Sequence, residues 1–326
     1  MILGASESRR VWEVAGLANR APRVMSGPGI RDTYYAFSTK GAQLSGVATF
    51  DFHVTSECSQ ECAYCWGPLG IPEVDTGTAL AIISKIRSGG SRRIVFTGGD
   101  PLQRADIGSL IVHASRQGLE VAVSTTGDQL TASFLEAYGP HIALISLPLD
   151  GSTEEVSCRT KKPGHFAAVM AALDLLEEHS GIDVKLATPV TRHNIEDVPN
   201  IARLLDERAR RLPGRLFYNV FQAFPRSMSL DVAWPEMLVD DSAFAALRRR
   251  VEATPHDYRI NWLDHETLDR LYVMIFPDGT LTVPVGSDFR NYGPFLDVED
   301  LEELLANTEF DAPKHHRHAS GWSRSG

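Results

Sequence analysis

Residues 49–65 read Thr49-Phe50-Asp51-Phe52-His53-Val54-Thr55-Ser56-Glu57-Cys58-Ser59-Gln60-Glu61-Cys62-Ala63-Tyr64-Cys65. The run Val47–Val54 has the Val- and Phe-rich content of a buried β-strand, and its two-residue period puts Asp51 and His53 on one face. Three of the chain's four cysteines follow that strand at Cys58, Cys62 and Cys65, while Cys158 stands far away. A disulfide framework spreads its cysteines along a short secreted chain. Three thiols this close together suit one soft metal centre. Zinc needs a fourth ligand, and no Cys or His pair follows at short spacing, so a zinc site stays open only through His53. Three thiolates on one loop can instead hold three irons of a four-iron, four-sulfur cluster. The fourth iron is then open to chelate a small molecule through an amine and a carboxylate.

Outward from this loop, short β-type runs alternate with helical ones. Strands are expected at Val47–Val54, Arg93–Thr97, Leu119–Ser124, Ala143–Pro148, Asp183–Thr188 and Leu216–Gln222. Helical patterns occupy Thr76–Arg87, Ala105–Gln117, Leu130–Tyr138, Phe166–His179 and Ile195–Arg211, with Asn194 and Asp197 marking the start of the last. Right-handed crossovers between such units give a parallel sheet. Six units fall short of the eight of a full barrel, so the expected fold is α/β, a partial (β/α)6 TIM-like barrel. In such a barrel the loops after the strands carry the active site, which is where the three cysteines stand. The second strand also ends in Phe96-Thr97-Gly98-Gly99-Asp100-Pro101, whose glycines allow close backbone approach and whose carboxylate can accept from an ammonium. Residues 1–46 form an N-terminal extension, 47–225 the core, and 226–326 a C-terminal cap and tail. The cap is expected to hold a helix at Asp241–Glu252, a hairpin over Leu271–Val285 turning at Asp278-Gly279, and a helix at Val298–Ala306. From Pro313 onward the chain is polar and reads as a mobile tail.

The 326 residues carry 32 Lys and Arg against 42 Asp and Glu, a net charge of −10, which disfavours broad nucleic-acid binding. A hydrophobic content of 43% and a charged content of 23% are ordinary for a globular protein and exclude wholesale disorder. No run reaches the roughly 18 apolar residues that span a bilayer. The N-terminus lacks a basic segment followed by an apolar one, so no secretory signal is read and a cytoplasmic location is expected.

The Cys58-x3-Cys62-x2-Cys65 spacing, the aromatic Tyr64 before the last cysteine, and Gly98-Gly99-Asp100-Pro101 together resemble the radical S-adenosylmethionine (SAM) superfamily over roughly residues 47–224. That resemblance implies a [4Fe-4S] cluster, SAM bound at its open iron, and an external one-electron reductant such as flavodoxin or ferredoxin. It also implies reductive cleavage of SAM to a 5′-deoxyadenosyl radical that abstracts hydrogen from the substrate. Carried over by position, Cys58, Cys62 and Cys65 would be the cluster ligands, and Tyr64 would lie beside the adenine. Gly98, Gly99 and Asp100 would hold the methionine ammonium, Asp100 standing where the family usually has Glu. Ser124 would take the ribose. Within the superfamily, His53–Cys58, Lys185–Arg192 and Asn219–Gln222 look most like viperin and its prokaryotic relatives. By that likeness Arg159 would pair with the SAM carboxylate and Phe224 would pack on the adenine. Asn219 and Ala187 replace a Lys and an Asn implied there in nucleotide recognition.

Strand alternation puts Asp183, Lys185 and Ala187 on one face, which points Lys185 into the barrel, with Asp183 as its candidate partner. Lys185 and His53 are candidate substrate contacts; for His53 the other reading is a packed structural histidine. Cys158 is either a hydrogen donor or an inert thiol. His315, His316 and His318 read as part of the flexible tail rather than as a metal site. The expected substrate is a small, anionic sugar-, nucleoside- or nucleotide-like molecule. Peptide maturation is the alternative, and a non-catalytic iron–sulfur or zinc protein is the rival of a different class.

Overall fold

The computed structural model describes residues 47–226 and 234–320. The first six strands are β1 (Thr49–Thr55), β2 (Arg93–Gly98), β3 (Glu120–Ser124), β4 (Leu144–Pro148), β5 (Asp183–Val190) and β6 (Leu216–Gln222). They pair in parallel and in chain order, with Asp51 beside Val95, Ser146 beside Lys185 and Lys185 beside Phe217. The connecting helices are α1 (Thr76–Ser88), α2 (Ile107–Arg116), α3 (Ala132–Tyr138), the short α4 (Glu154–Ser157), α5 (His165–Glu177) and α6 (Val198–Ala209). This is the α/β core of a partial TIM-like barrel. Phe50, Phe52 and Val54 of β1 are fully buried, as are Ile82, Ile83 and Ile86 of α1. Strand period two leaves Thr49, Asp51 and His53 on the opposite face, toward the barrel axis.

The helix α6 starts three residues later than Asn194 implied. Asn194 is buried and accepts from Thr191 N at 2.8 Å while donating to the carbonyls of Asp150 and Pro189. Its amide ties the loops after β4 and β5 together, and Asp197 takes the cap position instead.

The C-terminal part extends the sheet at both edges. After α7 (Trp234–Met237) and α8 (Asp241–Glu252), β7 (Arg259–Leu263) adds in parallel to β6. The sequence reading missed it because a five-residue strand carrying Arg259 and Asn261 lacks an apolar run. Following α9 (His265–Leu268), β8 (Met274–Ile275) pairs in parallel with β1 and turns through Asp278-Gly279 into β9 (Thr280–Val285). A further antiparallel strand, β10 (Asp288–Pro294), was not anticipated either. The result is one ten-stranded sheet in the order β10-β9-β8-β1-β2-β3-β4-β5-β6-β7. The helix α10 (Leu301–Ala306) follows, and α11 (Ala312–Ser320) ends the described residues.

For residues 312–320 the expectation of a mobile tail is corrected by α11. His315 is 4% exposed, and its Nε2 accepts from Ala48 N at 3.1 Å and Thr49 N at 3.2 Å, at the start of β1. Its Nδ1 bonds the Leu271 carbonyl at 2.9 Å. One imidazole thus satisfies backbone groups that the first strand of the barrel cannot pair, and α11 sits across the barrel's N-terminal end. No helix of the described residues is long and apolar enough to cross a membrane.

Burial lowers His315 to about 4 and His318 to about 3, so the folded protein holds both rings neutral. An unfolded histidine titrates near its ordinary value of about 6.5. Their contribution to stability is therefore complete above that value and falls away as the pH drops toward 4. The urea midpoint should decline between pH 7 and pH 5. His315→Ala should lower the midpoint at pH 7 and flatten this decline, whereas an unaltered pH profile would show that His315 does not contribute to it.

Candidate active site

The cysteine loop follows β1 and lies against the end of β2. Gly99 N donates to the Thr55 carbonyl at 2.8 Å, and Asp100 N to the Glu57 carbonyl at 2.7 Å. A Cβ on Gly98, whose φ is 141°, would stand 2.3 Å from Thr55 O, and one on Gly99 would stand 2.1 Å from Glu57 O. Both positions therefore require glycine, because the loop backbone occupies the space of a side chain. The glycines seat the cysteine loop. Gly99 also lines a cavity of about 440 Å³ at the C-terminal ends of the strands, together with Cys58, Cys62, Cys65, Tyr64 and Lys161.

Each of the three sulfurs receives a hydrogen bond. Cys58 accepts from Gln60 N at 3.4 Å, Cys65 from Gly67 N at 3.2 Å, and Cys62 from Lys161 Nζ at 2.9 Å. Burial pushes the Cys58 thiol up to about 11 and raises Cys65 as well, so these thiols stay protonated unless a metal takes the proton's place. Among the described residues, no group of three His, Cys, Asp or Glu side chains is gathered tightly enough for a single metal ion. Three thiols spread along one cavity wall, each with a donor aimed at it, instead fit the separate corners of a cluster.

Lys161 and Asp150 are the principal site residues that the sequence reading missed. Asp150, wholly buried after β4, accepts from Tyr64 Oη at 2.5 Å and from Thr160 Oγ1 at 2.6 Å. Its other oxygen is buried with no hydrogen-bond partner among the described residues. Burial alone would lower the Lys161 ammonium, but Asp150 and Cys62 beside it hold it above its ordinary value. The signal available in the sequence was an acidic residue directly after a barrel strand, where functional side chains collect.

Several expected contacts lie elsewhere. Asp100 is wholly buried, and its oxygens accept from Leu102 N at 3.1 Å, Thr125 Oγ1 at 2.7 Å and Thr126 Oγ1 at 2.6 Å. It anchors Thr125 and Thr126, which line the cavity, and does not line it itself. Arg159 is half exposed and bonds Glu155 and the His193 carbonyl, outside the cavity. Phe224 packs edge-on against Trp66 and His265 within an apolar cluster behind the cavity wall. Cys158 is exposed, and its thiol donates to Glu154 Oε1 at 3.0 Å. The structure does not bring it to the cavity, since it caps the outward-facing α4. Tyr64, Ser124 and the three cluster-type cysteines are brought together around it.

A second chamber of about 290 Å³ lies inside the barrel and shares Trp66, Thr97, Ser124 and Phe221 with the first. Lys185 points into it, as alternation required, with Asp51, His53 and Asn219. Asp183 is not its partner: that carboxylate bonds Arg215 at 2.8 Å at the strand's start. Burial pushes Asp51 up to about 6 against the pull of Lys185, and lowers Lys185 to about 8 against the pull of Asp51. His53 is lowered to about 4 by burial, and its Nδ1 is a buried atom with no hydrogen-bond partner among the described residues. His315, His318 and Ala319 of α11 form the floor.

Residues 52–205 match the profile of the Radical SAM superfamily. That match covers a little under half of the chain, and over it the sequence is similar to the radical SAM superfamily. That similarity implies a [4Fe-4S] cluster and SAM as cofactors. The chain is 27% identical over 259 residues to Fe-coproporphyrin III synthase of Methanosarcina barkeri, covering 77% of this chain and 58% of that protein. It is 25% identical over 295 residues to the S-adenosylmethionine-dependent nucleotide dehydratase of Lacinutrix mariniflava, covering 84% of this chain and 58% of that protein. The chain thus spans about three fifths of the length of these curated relatives. In structure, SuiB of Streptococcus suis with S-adenosylmethionine bound aligns with a TM-score of 0.61 at 12% identity, covering 84% of this chain and 68% of SuiB. The SAM-bound anSMEcpe aligns at 0.58 and 12% identity, covering 82% of both chains. At these identities the structural likeness shows a shared fold alone, the partial α/β barrel.

Asp100→Ala should leave two threonine hydroxyls and a backbone amide without their buried acceptor, at a cost on the order of 3 kcal/mol. Chemical denaturation measures it. A loss confined to SAM affinity, with stability unchanged, would instead mean that Asp100 reaches the ligand.

Proposed function

We propose that this chain is a radical SAM enzyme that acts on a small, anionic sugar-, nucleoside- or nucleotide-like molecule held in the inner chamber. Cys58, Cys62 and Cys65 would hold the cluster, and Tyr64, Gly99, Ser124, Thr125 and Thr126 would line the SAM site above the chamber. The cluster these cysteines would hold would supply one-electron reduction of SAM, drawing on an external reductant of the flavodoxin or ferredoxin kind. The observation that carries the substrate reading is the wall the two cavities share, lined from both by Trp66, Thr97, Ser124 and Phe221. A molecule in the lower chamber meets the upper one at these four residues.

The chain's own groups then set what fits. Lys185, lowered only to about 8, remains mostly protonated at neutral pH and offers a desolvated cation to a phosphate or carboxylate. The unpartnered Nδ1 of His53 offers a neutral hydrogen bond, since burial keeps the ring uncharged. Asn261 donates to Asn219 Oδ1 at 2.9 Å, which orients the Asn219 amide at the chamber wall. The name of the nucleotide dehydratase among the similar sequences agrees with a phosphorylated substrate. Asn219, where viperin-like enzymes carry a Lys, argues for a ligand other than theirs.

Each of Cys58→Ala, Cys62→Ala and Cys65→Ala should lose the iron–sulfur absorption and all SAM cleavage while keeping the circular dichroism of the folded chain. Retained cleavage in any of them would overturn the ligand set. Lys185→Met should raise the apparent KM for the substrate about ten- to a hundredfold, the loss of one charge-assisted contact, while sparing substrate-free SAM cleavage. An equal loss in both reactions would assign Lys185 to SAM or to the fold. Deuterium transfer from labelled nucleotides, sugars or peptides into 5′-deoxyadenosine identifies the substrate class, and transfer from peptides alone would replace this reading with peptide modification.

A further inference from the structure

We propose that Lys161 is a positioning residue that raises the reduction potential of the cluster through Cys62, an inference that rests on reading Cys58, Cys62 and Cys65 as the ligands. Three observations converge on it. The sulfurs of Cys58 and Cys65 each receive one backbone N–H, at 3.4 and 3.2 Å, but Cys62 alone of the three receives a charged donor, Lys161 Nζ at 2.9 Å. Lys161 is 8% exposed, so its charge acts on that sulfur with little screening by water or salt. Its stem is also confined: the ammonium lies 5.4 Å from the centroid of the Tyr64 ring, and that ring is itself pinned through its hydroxyl to Asp150.

The electrostatic sign follows directly. Reduction adds one electron to the cluster and its thiolates, and a cation in contact with one of those sulfurs stabilises the added negative charge. Asp150 offsets the cost of burying the ammonium, and its bonded oxygen accepts from Tyr64 and Thr160. Lys161 therefore favours the reduced state in which SAM can be cleaved. It also distinguishes the Cys62 corner of the cluster from the other two. Neither effect requires Lys161 to touch the substrate.

The test is an anaerobic redox titration of the reconstituted full chain, followed by electron paramagnetic resonance in the absence of SAM, for wild type, Lys161→Met, Lys161→Gln and Lys161→Arg. Lys161→Met should disfavour reduction about tenfold, a midpoint shift of about −59 mV for one electron. Lys161→Arg should stay near wild type, and Lys161→Gln, a neutral donor, should fall between. If Lys161→Met holds its cluster at the wild-type potential, the proposal is wrong; weakened SAM binding at that unchanged potential would assign the ammonium to SAM instead. Should Lys161→Met assemble no cluster, Lys161→Gln decides: a lowered potential supports the proposal, and failure of both to assemble overturns it in favour of a folding role. A wild-type chain whose Mössbauer spectrum shows no [4Fe-4S] cluster would mark failure of the ligand assignment itself.

Discussion

The seating of the cysteine loop on the end of β2 is the contact on which the rest of the site depends. Two backbone hydrogen bonds, Gly99 to Thr55 and Asp100 to Glu57, bring chain segments together so closely that neither glycine can carry a Cβ. That approach fixes where the loop leaves β1. It also turns the Asp100 side chain toward Thr125 and Thr126 at the end of β3. The ends of three consecutive strands are thereby locked to one another by paired groups, of which Thr55, Asp100, Thr125 and Thr126 are buried. A loop bearing three sulfurs can then present them to a cavity while its backbone is held by the barrel.

The opposite end of the barrel is closed by a different device. His315 satisfies two backbone amides at the start of β1, and α11 floors the inner chamber with His315, His318 and Ala319. Burial holds these rings neutral, so the chamber's formal charges come from Asp51, Lys185 and Arg93, the last of which bonds Glu120. A desolvated cation and a desolvated carboxylate that attract one another keep each other ionisable near neutral pH. The upper cavity has the parallel arrangement of Lys161, Asp150 and the sulfurs. Both rooms of the barrel therefore place a lysine opposite an acid, and both lysines come from the second half of the core.

Much of this was legible in the sequence because it is local. The strand period along β1 and β5 correctly turned His53 and Lys185 inward, and the spacing of Cys58, Cys62 and Cys65 put them on one loop after a strand. Leu216–Gln222 and Asp241–Glu252 were bounded correctly because apolar periodicity in the one, and an Asp cap before a regular stripe in the other, are properties of consecutive residues. Asn194 shows the limit of the same logic. Its residue type signals a cap, yet its amide is used by Thr191, Asp150 and Pro189, which no local pattern reveals.

By itself, the sequence determined the parallel alternating core, the cluster-type loop and the inward faces of β1 and β5, since these follow from period, spacing and side-chain type. Tertiary structure alone decided the rest. It sent Asp100 to two threonines, Arg159 and Cys158 to the outer surface, and Phe224 behind the wall. It also made a packed helix of a polar C-terminal stretch by giving one histidine three backbone partners. The physical reason is the same in each case. A polar side chain goes where a distant group will satisfy it at a lower cost than water, and that group is chosen by the folded sheet, not by its neighbours in the chain.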